Sequence, residues 1–199
     1  KVLLENLLRH EDGETVTADD IIAMKKWISR RKSNREIAYR PARVLMQDFT
    51  GVPAVVDLAA MRNAMEDIGG NPKKINPLTP VDLVIDHSVM VDHFGTSTSL
   101  KQNVDLEYDR NQERYEFLRW GAQALEKFGV VPLGTGNSNE VNLEFFEQPG
   151  WEKQTPLNGK SADVAYPDLL VGTASHSAKA KGISAVGWGG GGCEAGAAM

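Results

Sequence analysis

The sequence predicts a layered α/β domain with a mainly parallel sheet. Three observations carry that expectation. Apolar stripes at helical spacing alternate along the chain with short, continuous apolar runs. The runs at 44–46, 81–86 and 168–172 are strongly apolar, as strands buried on both faces are. Helix-start and helix-stop residues separate the two kinds of segment, and no internal repeat replaces them. A length of 199 residues suits one domain of this kind.

The elements follow in order. Leu3, Leu4, Leu7 and Leu8 give a first helix that Glu11-Asp12-Gly13 stops. Thr17 with Asp20 forms a capping-box pattern ahead of a second helix, whose apolar face is Ile21, Met24, Trp27 and Ile28. Arg30-Arg31-Lys32 ends it, where cations suit the helix macrodipole. Val44-Leu45-Met46 is the first strand. Asp48 to Pro53 reads as a turn into a helix, with Pro53 in its first turn. Leu58, Met61, Met65 and Ile68 are that helix's stripe, and Gly69-Gly70 its stop. Val81 to Asp86 is a strand ending at His87, and Asp92 to Asn103 a mobile polar loop. One long helix is expected from Leu106 to Phe128, then strands at Val130-Val131 and at Val141, Leu143 and Phe145. Gln148 to Asp163 reads as an insertion loop and Asp168 to Gly172 as a buried strand. The run Gly187 to Gly192 is assigned to helix packing or a flexible end, and Ala195 to Met199 to a short helix.

Composition removes several function classes. Hydrophobic residues make up 41% and charged residues 25%, which suits a soluble globular chain. The formal charge is 22 − 27 = −5, which argues against binding nucleic acid through phosphate contacts. No run approaches the ~20 apolar residues of a membrane span, so no membrane partner is expected. The single cysteine, Cys193, permits no intrachain disulfide and points to a cytoplasmic setting. It also falls short of the thiolates that an iron–sulfur cluster or a structural zinc site needs, and reads as a small apolar residue. The start at Lys1 shows neither an initiator Met nor a signal-peptide layout, which suggests a segment of a longer protein.

Ligands of open α/β sheets gather at the carboxyl ends of the strands. Three polar groups fall there: Gln47-Asp48, Asp86-His87-Ser88 and Thr173-Ala174-Ser175-His176. They suit an anionic ligand with histidine as acid or base, and they equally suit loop polarity and capping. The glycine run lacks the P-loop ending and the dinucleotide spacing.

The stretch from Arg40 to Asp57, with its core Val44-Leu45-Met46-Gln47-Asp48-Phe49-Thr50-Gly51-Val52-Pro53, resembles the aconitase family. So do Lys74-Ile75-Asn76-Pro77, Asp82 to Ser88, Asn111 to Gly121 and Val141-Asn142-Leu143-Glu144. The likeness is to the bacterial aconitase A and cytosolic aconitase/iron-regulatory branches, and it covers nearly the whole chain. It implies a three-layer α/β/α fold over 1–199, the first domain of a larger enzyme, ending before the cluster-binding cysteine motif. That family carries a [4Fe–4S] cluster and interconverts citrate and isocitrate by dehydration and rehydration. Carried over residue by residue, Gln47 matches a substrate-contacting glutamine, and Asp86 with His87 an acid/base pair that helps the hydroxyl leave. Ser175 and His176 match substrate-site residues of an Asp-Ser-His motif.

This chain departs from the family at two matched places. Ala174 stands where the motif has Asp, and Asn139-Glu140 stands where the family has His-Gln. The resemblance implies that the missing His and Asp form a buried pair. Losing one member strands a buried charge at about 3–5 kcal/mol, whereas losing both is close to neutral. Small or polar replacements also occur at Ser177 to Lys181, Gly190, Cys193 and Gly196, with a one-residue departure at Pro132-Leu133-Gly134. The expectation is an isolated, engineered first domain that folds without hydro-lyase activity, monomeric and without a cofactor of its own. Gln47, Asp86, His87, Ser175 and His176 would then be a vestigial site that binds citrate or isocitrate weakly. The alternatives are a fragment that works only with the missing domains, and an RNA-binding module like the iron-regulatory relatives.

Overall fold

In the computed structural model, residues 1–134, 150–157, 160–173 and 186–199 are described. The expected strand at Val141 to Phe145 and the positions Asn139, Ala174, Ser175 and His176 lie outside them.

Five parallel strands form the sheet: β1 (Arg43–Gln47), β2 (Val81–Val84), β3 (Phe128–Val131), β6 (Leu169–Gly172) and β7 (Val186–Gly189). Their order is β3-β2-β1-β6-β7. The chain steps outward from β1 to β2 to β3, then returns to the other side of β1 for β6 and β7. The order therefore reverses between β1 and β6. The predicted α/β class with a mainly parallel sheet holds, in its three-layer form.

Alternation along each strand decides what the faces meet. Val44 and Met46, Val81 and Leu83, and Val171 share one face with Ile85. They pack under Ala54, Val55 and Leu58 of α3 (Asp48–Asp67), Leu118 of α5 (Gln112–Ala124) and Ala195 of α6 (Gly192–Ala198). Leu45, Val84 and Leu170 form a second buried cluster. Gly51 lets α3 sit hard on β1: a Cβ there would stand 2.6 Å from the Met46 Cβ. Gly192 does the same for α6, since a Cβ there would stand 2.6 Å from the Thr50 carbonyl oxygen.

The amino-terminal helices α1 (Val2–Arg9) and α2 (Ala18–Arg30) pack on each other. Asn6 fastens α1 to the approach of β1: its amide donates to the Arg40 carbonyl at 2.7 Å and accepts from the Arg40 N–H at 3.0 Å. The capping box is present, with the Thr17 N–H donating to Asp20 Oδ2 at 2.9 Å. Arg31 ends α2 in the left-handed region, as the basic stop predicts. No residue of α2 is fully buried; Ile22, Trp27 and Ile28 stay exposed.

Several expected elements differ. α3 begins at Asp48 directly after β1, so Pro53 falls in its second turn instead of its first. The single helix expected from Leu106 to Phe128 is two: α4 (Ser99–Arg110) and α5, broken at Asn111. Asn111 leaves the helical region at φ −116° and ψ 28°, and its side-chain amide donates to the Glu107 carbonyl and carboxylate. Part of the expected mobile loop Asp92 to Asn103 is the first turn of α4. The rest is pinned, because the Asn103 side chain accepts from the Asp92 and His93 N–H groups and donates to the His93 carbonyl. The expected insertion loop Gln148 to Asp163 holds most of an antiparallel hairpin, β4 (Gly150–Leu157) with β5 (Lys160–Pro167). The glycine run contributes the edge strand β7, with Trp188 stacked on Tyr39 at 4.8 Å between centroids.

At the amino ends of the strands, the opposite end of the sheet from the candidate site, Arg43 opens β1 and Asp168 precedes β6. The guanidinium donates to Asp168 from Nη2 at 2.9 Å and from Nε at 3.1 Å. Trp151 of β4 donates its indole N–H to the same carboxylate at 2.8 Å, tying the hairpin to the sheet.

Candidate functional site

The strand ends converge as the topology requires. In an open α/β sheet the ligand crevice lies at the carboxyl ends where strand order reverses. Here that is the β1–β6 junction. The Gln47 N–H donates to Thr173 Oγ1 at 2.8 Å, closing the junction across the two strands. The Gln47 amide Nε2 donates to Asp86 Oδ2 at 2.9 Å, which brings in the end of β2. Gln47, Asp86 and Thr173 are thus gathered in one place from three strands.

His87 follows Asp86 and turns inward, its side chain only 6% exposed. Both ring nitrogens face carboxylates. Nδ1 meets Asp48 Oδ2 and Nε2 meets Glu107 Oε1, each at 2.5 Å. Asp48 is the first residue of α3, where a carboxylate is favoured by the helix N-terminus. Glu107 is buried on α4 and is held by two further donors on the same oxygen: the Asn111 amide at 2.8 Å and the Tyr115 hydroxyl at 3.2 Å. Arg114 places Nη1 3.6 Å from Asp48 Oδ2 and lays its guanidinium over the Phe49 ring at 4.6 Å. Phe49 meets the His87 ring edge-on at 5.0 Å.

Burial of the His87 ring opposes its charge, but the hydrogen bond to Glu107 and the charge and hydrogen bond of Asp48 outweigh it. Its pKa is raised above the ordinary 6.5. Burial, then the Glu107 charge, push the Tyr115 phenol upward as well. A histidine that binds its proton more tightly when folded stabilises the fold fully below the unfolded value. That contribution is lost as pH rises through the raised folded value. Urea unfolding of the chain is therefore expected to show stability falling as pH is raised above about 6.5. His87→Gln should flatten that dependence; an equally steep fall in the variant would assign it to other groups.

A family model for the aconitase family (aconitate hydratase) matches residues 19–199. The chain is 61% identical over 199 residues to "Aconitate hydratase A" of Pseudomonas aeruginosa, covering all of this chain and 21% of the relative. It is 58% identical over 199 residues to the protein of that name from Escherichia coli, covering all of this chain and 22% of the relative. The chain belongs to the aconitase family. It spans about a fifth of the length of the curated relatives it matches.

Within the aconitase frame, the structure brings Gln47 and Asp86 into contact and sets His87 beside them in sequence, its ring pinned by Asp48 and Glu107. Ser175, His176, Asn139 and Ala174 lie outside the described residues. Sequence reasoning placed Asp48 among the strand-end polar groups without a role, and it missed Glu107, Arg114 and Tyr115. The last two lie inside the motif Asn111 to Gly121, which carried the family likeness but no assignment. Cys193, expected to be a small apolar residue, is exposed on α6. Among the described residues no group of three or more His, Cys, Asp or Glu is arranged to hold a metal ion, and no helix is long and apolar enough to cross a membrane.

Proposed function

We propose that this chain forms one wall of an aconitate-hydratase-type site and is silent as a hydro-lyase by itself. The observation that carries this reading is the convergence of Gln47, Asp86 and Thr173 at the reversal of strand order, with His87 adjoining, in an aconitase-family chain.

Dehydration of a hydroxy acid needs a proton for the departing hydroxide and a base for the proton on the neighbouring carbon. A histidine held protonated between two carboxylates is suited to the first task. Gln47 fixes the Asp86 carboxylate through its amide, so the orientation of one side chain sets that of the other. The family's [4Fe–4S] cluster would polarise the substrate hydroxyl when bound, and such clusters are held by cysteine thiolates. This chain has one cysteine, exposed on α6 beside Thr50, Asp57 and Met61. A single thiol does not fit the cluster, so the chemistry assigned to the chain rests on its own side chains. Of the replacements that suggest deliberate isolation of the domain, Gly196 has no structural explanation, since a Cβ there would make only ordinary contact, 3.8 Å from the Ala54 Cβ. The reading holds whether or not the paired departure at Asn139 and Ala174 was engineered.

The test is turnover. The chain, treated with iron and sulfide, is expected to release no aconitate from citrate or isocitrate, followed by ultraviolet absorbance. Turnover above background that a chelator abolishes would overturn the silent-alone reading.

A further inference from the structure

We propose that Glu107 is a positioning residue: with Asp48 it clamps the His87 ring from both sides and holds it doubly protonated in a single orientation. Its bearing on catalysis rests on the reading above; the clamp itself does not.

The argument is one of donors and acceptors. An ionised carboxylate only accepts, and a neutral imidazole donates from one nitrogen only. Asp48 and Glu107 lie on opposite ring nitrogens, at Nδ1 and Nε2. When both carboxylates are charged, both nitrogens must carry hydrogen, and the ring is an imidazolium. Each carboxylate has a further donor or cation beside it, while Asp48 Oδ1 is buried without a hydrogen-bond partner. Glu107 Oε1 accepts from Asn111 and Tyr115 in addition to His87, so three donors converge on one oxygen. Asp48 has Arg114 at 3.6 Å and sits at the N-terminus of α3. The charged groups facing the ring are Asp48 from α3, Glu107 from α4 and Arg114 from α5, with Asp86 beside it in the chain and Tyr115 behind Glu107. Asp48, Glu107, Arg114 and a protonated His87 form two anions and two cations, a neutral set in which only the Arg114 side chain, 28% exposed, reaches water. A neutral ring would leave the same set with an excess negative charge, which burial penalises.

The clamp also sets how the ring can act. Both nitrogens are occupied, so a ligand hydroxyl reaches a ring proton only by taking the place of one carboxylate. Asp48 guards the proton on Nδ1 and Glu107 the one on Nε2, and both carboxylates are buried.

Nitrogen-15 NMR of the imidazole rings in the 199-residue chain tests this. The chain has four histidines, and His87→Gln identifies the signal. At pH 7.5 an ordinary histidine is about 90% neutral, given a pKa near 6.5. The His87 ring is expected to show two protonated nitrogens at that pH. Glu107→Gln should lower its titration midpoint by roughly 1 pH unit or more, with Glu107→Asp restoring part of the shift. A Glu107→Gln chain that folds with an unmoved midpoint overturns the proposal. If that variant does not fold, the parent decides alone: a single protonated nitrogen at pH 7.5, or a midpoint at or below 6.5, overturns it. A neutral His87 would sink the clamp and leave the family-site reading standing. Chelator-sensitive turnover by the chain would sink the silent-alone reading and leave the clamp standing.

Discussion

Arg43→Met is expected to destabilise the chain by about 3–5 kcal/mol, the cost of leaving a buried charge without its partner. Asp168 has no exposed side-chain surface, and Arg43 is 3% exposed. Without the guanidinium, the carboxylate keeps the Trp151 indole N–H as its remaining described side-chain donor. Asp82, 3.8 Å from Arg43 Nη1, would lose its nearest cation as well. The damage spreads because the pair sits where β1, β6 and the hairpin meet. For a domain of this size each kcal/mol moves the melting temperature by about 2–4 °C, so a drop of about 6–20 °C is expected. Arg43→Met with Asp168→Leu should recover most of the loss, since an apolar pair of similar volume strands no charge. Urea unfolding of the parent and the two variants measures this. A single variant within about 1 kcal/mol of the parent would show that water reaches Asp168 and that the pair is not a buried anchor.

The second large effect concerns chemistry. A chimera in which this chain replaces the matching segment of the Escherichia coli relative, 58% identical, is expected to lose hydro-lyase rate by about 10²–10⁴-fold. That is the usual contribution of a positioned acid/base group. The resemblance puts a buried His–Asp pair at the positions of Asn139 and Ala174. Asn139→His or Ala174→Asp alone should recover little, because each introduces one member of the pair without the other. Both together should restore most of the rate. Within that restored chimera, His87→Ala should remove about 10²-fold again. Full activity of the unrestored chimera would show that the pair is dispensable and that this chain is a working segment.

How much of this was legible in the sequence depends on what each segment has to know. β1, β2 and β6 are readable because both faces of a central parallel strand are buried, which gives unbroken runs such as Val44-Leu45-Met46. Strand order is not readable, because nothing in the sequence of β6 says that it returns beside β1. The hairpin was hidden by the polar residues Glu152, Lys153 and Gln154 of β4, although Asn158-Gly159 between two runs is a hairpin signal. Gln47, Asp86 and His87 were found because they close apolar runs. Glu107 was not, since its place beside His87 depends on the break at Asn111 that separates α4 from α5. A continuous helical period gives no hint of that break, which lies in the backbone angles of the single residue Asn111.

Calorimetric titration of the 199-residue chain with citrate at low salt tests the central claim most directly. The wall formed by Gln47, Asp86 and His87 offers an amide, a carboxylate and a histidine already balanced by two carboxylates of its own. Each ligand carboxylate left without a charged partner forfeits about 1.5–3 kcal/mol, and about 1.4 kcal/mol is tenfold in affinity. The account predicts binding at millimolar strength or weaker. Micromolar binding that His87→Ala abolishes would contradict it, because the chain would then recognise the tricarboxylate without the rest of the site.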